Sequence, residues 1–180
     1  MNAGTESLPF PRGTTASAGL ATVDTTVLAN LEGKEYVVED EDPATATART
    51  GRQVKLRMLR NKSGFALLPK KTCKYSTNTA DIYPSHVRGH GHLTAERVAI
   101  VDEYLPAAGV ADGDLFYGVI EGPSLCLTDL AGGANNLIPI GTSLVSLTAA
   151  TSNATTAGRV APQDLTGATG LLGNQLQNRT

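Results

Sequence analysis

Gln53-Val54-Lys55-Leu56-Arg57-Met58 alternates apolar and polar side chains without a break. Successive side chains of an extended chain point to opposite faces, so Val54, Leu56 and Met58 share one face while Lys55 and Arg57 share the other. The stretch predicts a half-buried strand. Short segments of the same kind lie on both sides of it, each bounded by Gly, Pro, Asn or Asp. Upstream is Tyr36-Val37-Val38. Downstream, Asn61-Lys62-Ser63-Gly64 predicts a turn, and Phe65-Ala66-Leu67-Leu68 a second strand interrupted by Pro69, which together make a hairpin with the opening stretch.

Further strands are predicted at residues 72–75 and 97–101, with a polar loop over 76–92 between them. Leu115-Phe116-Tyr117-Gly118-Val119-Ile120 carries the strongest strand signal, and Leu105-Pro106-Ala107-Ala108-Gly109 before it reads as a loop. After Gly122-Pro123, the alternating Ser124-Leu125-Cys126-Leu127-Thr128 is expected to pair with it as a hairpin. Short strands at 137–140 and 143–147 follow a Gly132-Gly133-Ala134-Asn135-Asn136 turn cluster. A helical period arises only at the end, where Pro162-Gln163-Asp164 resembles a helix start and Leu165, Leu172 and Leu176 fall near one face. Gly167, Gly170 and Gly173 work against it. Many short strands without alternating helices predict an all-β fold, a small β-sandwich or β-barrel, over residues 34–160. Residues 1–33, rich in Thr, Ala, Gly and Ser, read as an extended N-terminal arm that orders on assembly, and residues 161–180 as a short C-terminal tail.

The chain has 180 residues and 18.7 kDa, enough to bury a core without metal or disulfide staples. It holds no apolar run near the roughly 18 residues of a membrane span, and its first twelve residues lack the pattern of a signal peptide, so a soluble protein made in the cytosol is expected. Cys73 and Cys126 form no CxxC motif and read as buried thiols. The net charge of −2 conceals three blocks. Residues 1–48 hold eight acids and two bases, residues 49–75 nine bases and no acid, and residues 76–180 nine acids and four bases. Such alternation points to contact with other surfaces.

Motifs of catalysis are sparse. His86, His90 and His92 are the only histidines; on an extended segment His90 and His92 project to one side, and Asp81 could complete a Zn²⁺ or Ni²⁺ site, but the spacing matches no metal signature. No GxSxG elbow singles out a serine. Ala131-Gly132-Gly133-Ala134-Asn135 lacks the lysine of a phosphate loop, and Asp102 with Glu103 and Asp112 with Asp114 read as turn residues. No enzyme, cofactor or metal is therefore expected. The candidate binding residues are basic: Arg49, Arg52, Lys55, Arg57, Arg60 and Lys62, continued by Lys70, Lys71 and Lys74. They would suit an acidic protein surface, including the Glu39-Asp40-Glu41-Asp42 run of a neighbouring copy, or the phosphates of a nucleic acid. Only Phe65 and Tyr75 in that block offer an aromatic face for bases, which favours the protein surface over a nucleic-acid-binding β-barrel.

Several motifs together resemble a family of tailed-bacteriophage and prophage proteins that decorate or cement the capsid. They are Arg60-Asn61-Lys62-Ser63-Gly64-Phe65-Ala66-Leu67-Leu68-Pro69-Lys70, Val101-Asp102-Glu103-Tyr104-Leu105-Pro106-Ala107-Ala108-Gly109-Val110, Gly113-Asp114-Leu115-Phe116 and Gly122-Pro123-Ser124-Leu125. Leu127-Thr128-Asp129-Leu130 and Thr155-Thr156-Ala157-Gly158-Arg159-Val160-Ala161 extend the likeness over most of residues 53–170. The resemblance implies a β-rich head-stabilising subunit, located on the outer capsid surface of the virion. It implies the major capsid protein and copies of itself, as a homotrimer, for partners, with no catalytic residues and no membrane contact.

Overall fold

The structure, a computed structural model, describes residues 7–19, 30–75, 85–90, 98–127, 144–146 and 160–162. The fold is all-β. One turn of helix, α1 (Ala16–Gly19), precedes strands β1 (Glu35–Asp42), β2 (Thr47–Asn61), β3 (Thr72–Tyr75), β4 (His86–His90), β5 (Val98–Val101), β6 (Leu115–Glu121), β7 (Leu144–Ser146) and β8 (Val160–Pro162). Strands β7 and β8 form a separate antiparallel pair. Among the described residues no helix is long and apolar enough to cross a membrane.

The first six strands form one sheet in the order β1-β2-β4-β3-β5-β6, and a further pairing of β2 with β6 closes β2, β4, β3, β5 and β6 into a ring. Of the two architectures the sequence allows, the barrel is therefore the one formed. Strand β2 makes closure possible because it is long: one edge takes β1 along its first part and β4 in parallel at Arg60 and Asn61, while the other takes β6 from Lys55 to Arg60. Closure leaves no free edges within the ring.

The alternation read from residues 53–58 sorts the core into two layers. Val54, Leu56 and Met58 are fully buried with Tyr36, Ile100, Leu115, Tyr117 and Val119 in one cluster; Leu59 and Phe116 join Leu67, Cys73, Val87, Ala99, Val101 and Val110 in the other. Gly118 of β6 is needed inside the second layer, because a Cβ there would meet the Leu59 and Ala99 side chains.

The first layer is covered by part of the predicted arm. Phe10 is 2% exposed and stacks on Tyr117 with ring centroids 4.5 Å apart, and the Tyr117 hydroxyl donates to the Phe10 carbonyl at 3.2 Å. Residues 7–19 thus pack on their own domain. Prolines 9 and 11 flank Phe10 in a segment of bends and turns, and this one aromatic supplies burial that the Thr- and Ala-rich composition around it does not.

Local hairpin reasoning fails at two places. Residues 65–68 do not pair with β2; Leu67 makes only an isolated bridge to Val110. Asn61 is the reason, since its amide donates to the Phe65 and Val110 carbonyls at 2.8 and 2.9 Å and its oxygen accepts from Ser63, which ties residues 61–65 into a compact turn. The edge of β2 is taken instead by β6, whose buried run suits the middle of a closed sheet. Residues 123–127 likewise form no strand beside β6, both of whose edges are occupied by β2 and β5. Within the predicted polar loop, residues 86–90 form β4, which pairs with Cys73 and Tyr75 of β3 on one side and with Arg60 and Asn61 of β2 on the other. The predicted strand at 137–140 and the helical candidate after Pro162 lie outside the described residues.

Candidate partner-binding surface

The six basic residues singled out from the sequence are distributed along β2 and the turn that follows it. Arg49, Lys55, Arg57 and Arg60 each pair with a carboxylate of the chain. Lys55 and Arg57 both grip Glu35, which the register of β1 against β2 sets directly opposite Arg57. The Lys55 and Arg57 hydrogen bonds hold the Glu35 carboxyl below the usual glutamate range. Arg60 pairs with Glu32 and donates to the Gly113 carbonyl at 2.8 Å, and the second oxygen of Glu32 lies 3.3 Å from His86 Nε2. Arg49 pairs with the buried Glu103 at 3.1 Å and hydrogen-bonds the Tyr104 hydroxyl. Arg52 and Lys62 are exposed. The nine-base block is therefore not an open basic face: much of its charge is balanced by Glu32 and Glu35, to which the sequence assigns no role, and by Glu103, which reads in sequence as a turn residue and is buried. The signal that could have located Glu35 was the alternation of β1 itself, since pairing Tyr36-Val37-Val38 with residues 54–56 brings Glu35 onto Arg57.

The same locality holds a second buried pair. Arg12, from the docked segment, lies 3.1 Å from Asp102 through Nε and 3.1 Å through Nη2, with its guanidinium 4.7 Å from the Tyr104 ring centre. The Arg49 guanidinium lies 5.3 Å from the same ring. Tyr104 thus sits between two cations and their acids, an arrangement that fastens the N-terminal segment, the β1–β2 ribbon and the 102–104 turn to one another. Burial pushes the Asp102 carboxyl up from the ordinary aspartate range, against the pull of Arg12.

The exposed charge of β1 is acidic. In β1 the side chains of Tyr36 and Asp40 are buried, while Val37, Glu39 and Glu41 are exposed on the other face. The register slips between Glu39 and Glu41, where Asp40 faces the looped-out 49–52 stretch of β2 and accepts from the Thr50 hydroxyl at 2.6 Å. Gly51, at φ 65°, supplies the left-handed turn this bulge requires. Asp42 caps the following turn through the Ala44 amide at 2.9 Å.

His90 is held by backbone groups. His90 is fully buried; its Nε2 accepts from the Leu68 amide at 3.1 Å, which leaves Nδ1–H to donate to the Thr72 carbonyl at 3.3 Å. Burial pushes its pKa down to about 4. Both ring nitrogens are spent, so His90 is not available to join His92, which lies outside the described residues together with Asp81. Among the described residues no group of three His, Cys, Asp or Glu side chains is arranged to hold a metal. Cys73 and Cys126 are free thiols whose burial pushes both pKa values up to about 12, so neither is an activated nucleophile.

No protein-family model, no curated protein and no solved structure matches this chain.

Proposed function

We propose that the chain is a structural virion protein that binds the outer surface of an icosahedral phage capsid and cements the shell, as a homotrimer seated on the major capsid protein. The observation that carries the reading is how its resemblance-bearing motifs meet. Residues 60–70, 101–110 and 113–116 are separate in sequence, yet Asn61 reaches the Val110 carbonyl, Gly64 N–H donates to Asp112 at 2.8 Å, Gly113 N–H donates to the Asn61 carbonyl at 2.7 Å, and Leu67 bridges Val110. The motifs are parts of one interlocked scaffold of turns at the end of β2, as befits a protein whose work is to hold a shape against another surface.

Adhesion of this kind gains from repetition. A trimer makes the second and third contacts intramolecular, so even modest single contacts gain on the order of a hundredfold in avidity. A nucleic-acid-binding barrel using residues 49–75 is supported less well, because Arg49, Lys55, Arg57 and Arg60 already face carboxylates of their own chain. The test is the solution mass of the purified chain by light scattering, with co-sedimentation on capsid shells from the same preparation. A trimer that pellets with shells is the expected result. A monomer that stays in the supernatant, and that binds DNA with steep salt dependence, would replace this reading with the nucleic-acid one.

A further inference from the structure

The geometry points to the outer edge of β1 as a docking site for an extended basic peptide of a partner protein, added as a further strand with lysine or arginine at alternate positions. Among the described residues β1 pairs with β2 alone, along one edge, so an eight-residue strand presents its other edge outside the closed ring. Such an edge offers a row of amide and carbonyl groups to an incoming strand.

Side chains specify the occupant. Glu35, Val37, Glu39 and Glu41 follow one another on one face of β1; Glu35 is already held by Lys55 and Arg57, whereas Glu39 and Glu41 are exposed and form no ion pair among the described residues. Val37, 39% exposed, is one of two large apolar side chains left open among the described residues. A strand laid alongside would set its own side chains against these, so bases two residues apart would face Glu39 and Glu41, with an apolar residue beside Val37. A second copy of β1 is the wrong occupant, because it would set acids against acids. This chain's own remaining segments are also wrong: residues 1–6, 20–29, 76–84 and 128–143 contain no base, and 91–97, 147–159 and 163–180 contain one each. The inference stands apart from the shell reading, since a chain that ignores shells would still take the peptide.

The experiment uses the full chain and a short capped peptide alternating lysine and valine, followed by calorimetry and by amide shifts along β1. Saturable binding is expected, with the shifts centred on residues 37–41. The Glu39→Gln, Glu41→Gln double variant should bind about tenfold more weakly, the sum of two cross-strand charge pairs. N-methylation of the peptide should abolish binding on one alternate set of amides, the set facing β1, and spare it on the other. No binding, equal binding of a shuffled peptide of the same composition, or indifference to the double variant or to both methylated sets would overturn the proposal and leave Glu39 and Glu41 as guards against edge-to-edge aggregation.

Discussion

His90 makes a stability prediction with a definite sign. Its imidazole is neutral in the fold because both nitrogens serve backbone groups and burial holds the pKa down to about 4, whereas an unfolded histidine titrates near 6.5. The group's contribution is present above about pH 6.5 and is lost as pH falls from there through 4. Across that window it amounts to on the order of 3 kcal/mol. Urea denaturation from pH 7 to pH 4 should show this loss, and His90→Gln should flatten it; an unchanged slope in the variant would contradict the assignment. Arg12 and Asp102 make a second residue-scale prediction. Arg12→Ala leaves a buried carboxylate alone and should destabilise by about 3–5 kcal/mol, whereas adding Asp102→Asn should restore part of that. Equal stability of single and double variants, measured by denaturant midpoint, would mean the pair is not coupled.

At the scale of elements, two glycines with left-handed backbone separate strain from collision. Gly64 at φ 80° has open space where a Cβ would stand; Gly109 at φ 77° has the Leu67 carbonyl there. Gly64→Ala is expected to cost about 1 kcal/mol and Gly109→Ala more than about 2 kcal/mol, because the second must also push apart the Leu67–Val110 bridge. Thermal midpoints that rank the two the other way would remove the bridge from the account. The elements themselves were legible where the pattern was local: the alternation of residues 53–58, the run of 115–120 and the short strands predicted at 72–75 and 97–101, the latter formed over Val98–Val101, follow from period and turn residues alone. Their partners were not. Adjacent-strand logic placed residues 65–68 and 124–128 as hairpin mates, whereas the structure joins β2 to β6 across more than fifty residues and ties residues 61–65 down with Asn61. Strand β4 was not legible because His86-Val87-Arg88-Gly89-His90 looks polar, and the buried His90 is satisfied by backbone contacts invisible in sequence.

Over the whole molecule, the N-terminal segment is part of the folded unit through Phe10 and Arg12, so its deletion affects the barrel as well as any partner. Phe10→Ala should destabilise by about 3 kcal/mol and lower the melting temperature by about 10 °C, which calorimetry would register; a change below about 1 °C would mean the segment is dispensable to the fold. The candidate site was legible in composition and not in sign: the basic block stands out in sequence, yet the acids that balance it come from the arm boundary, from β1 and from the 102–104 turn, and β1 itself exposes Glu39 and Glu41. We propose that this fold cements a shell. The most direct measurement is an electron cryomicroscopy difference map between shells of the cognate major capsid protein with and without the purified chain. The account predicts added density on the outer surface, in threefold-arranged lobes of barrel size at the junctions between capsomers. An outer surface unchanged at saturating protein would contradict it.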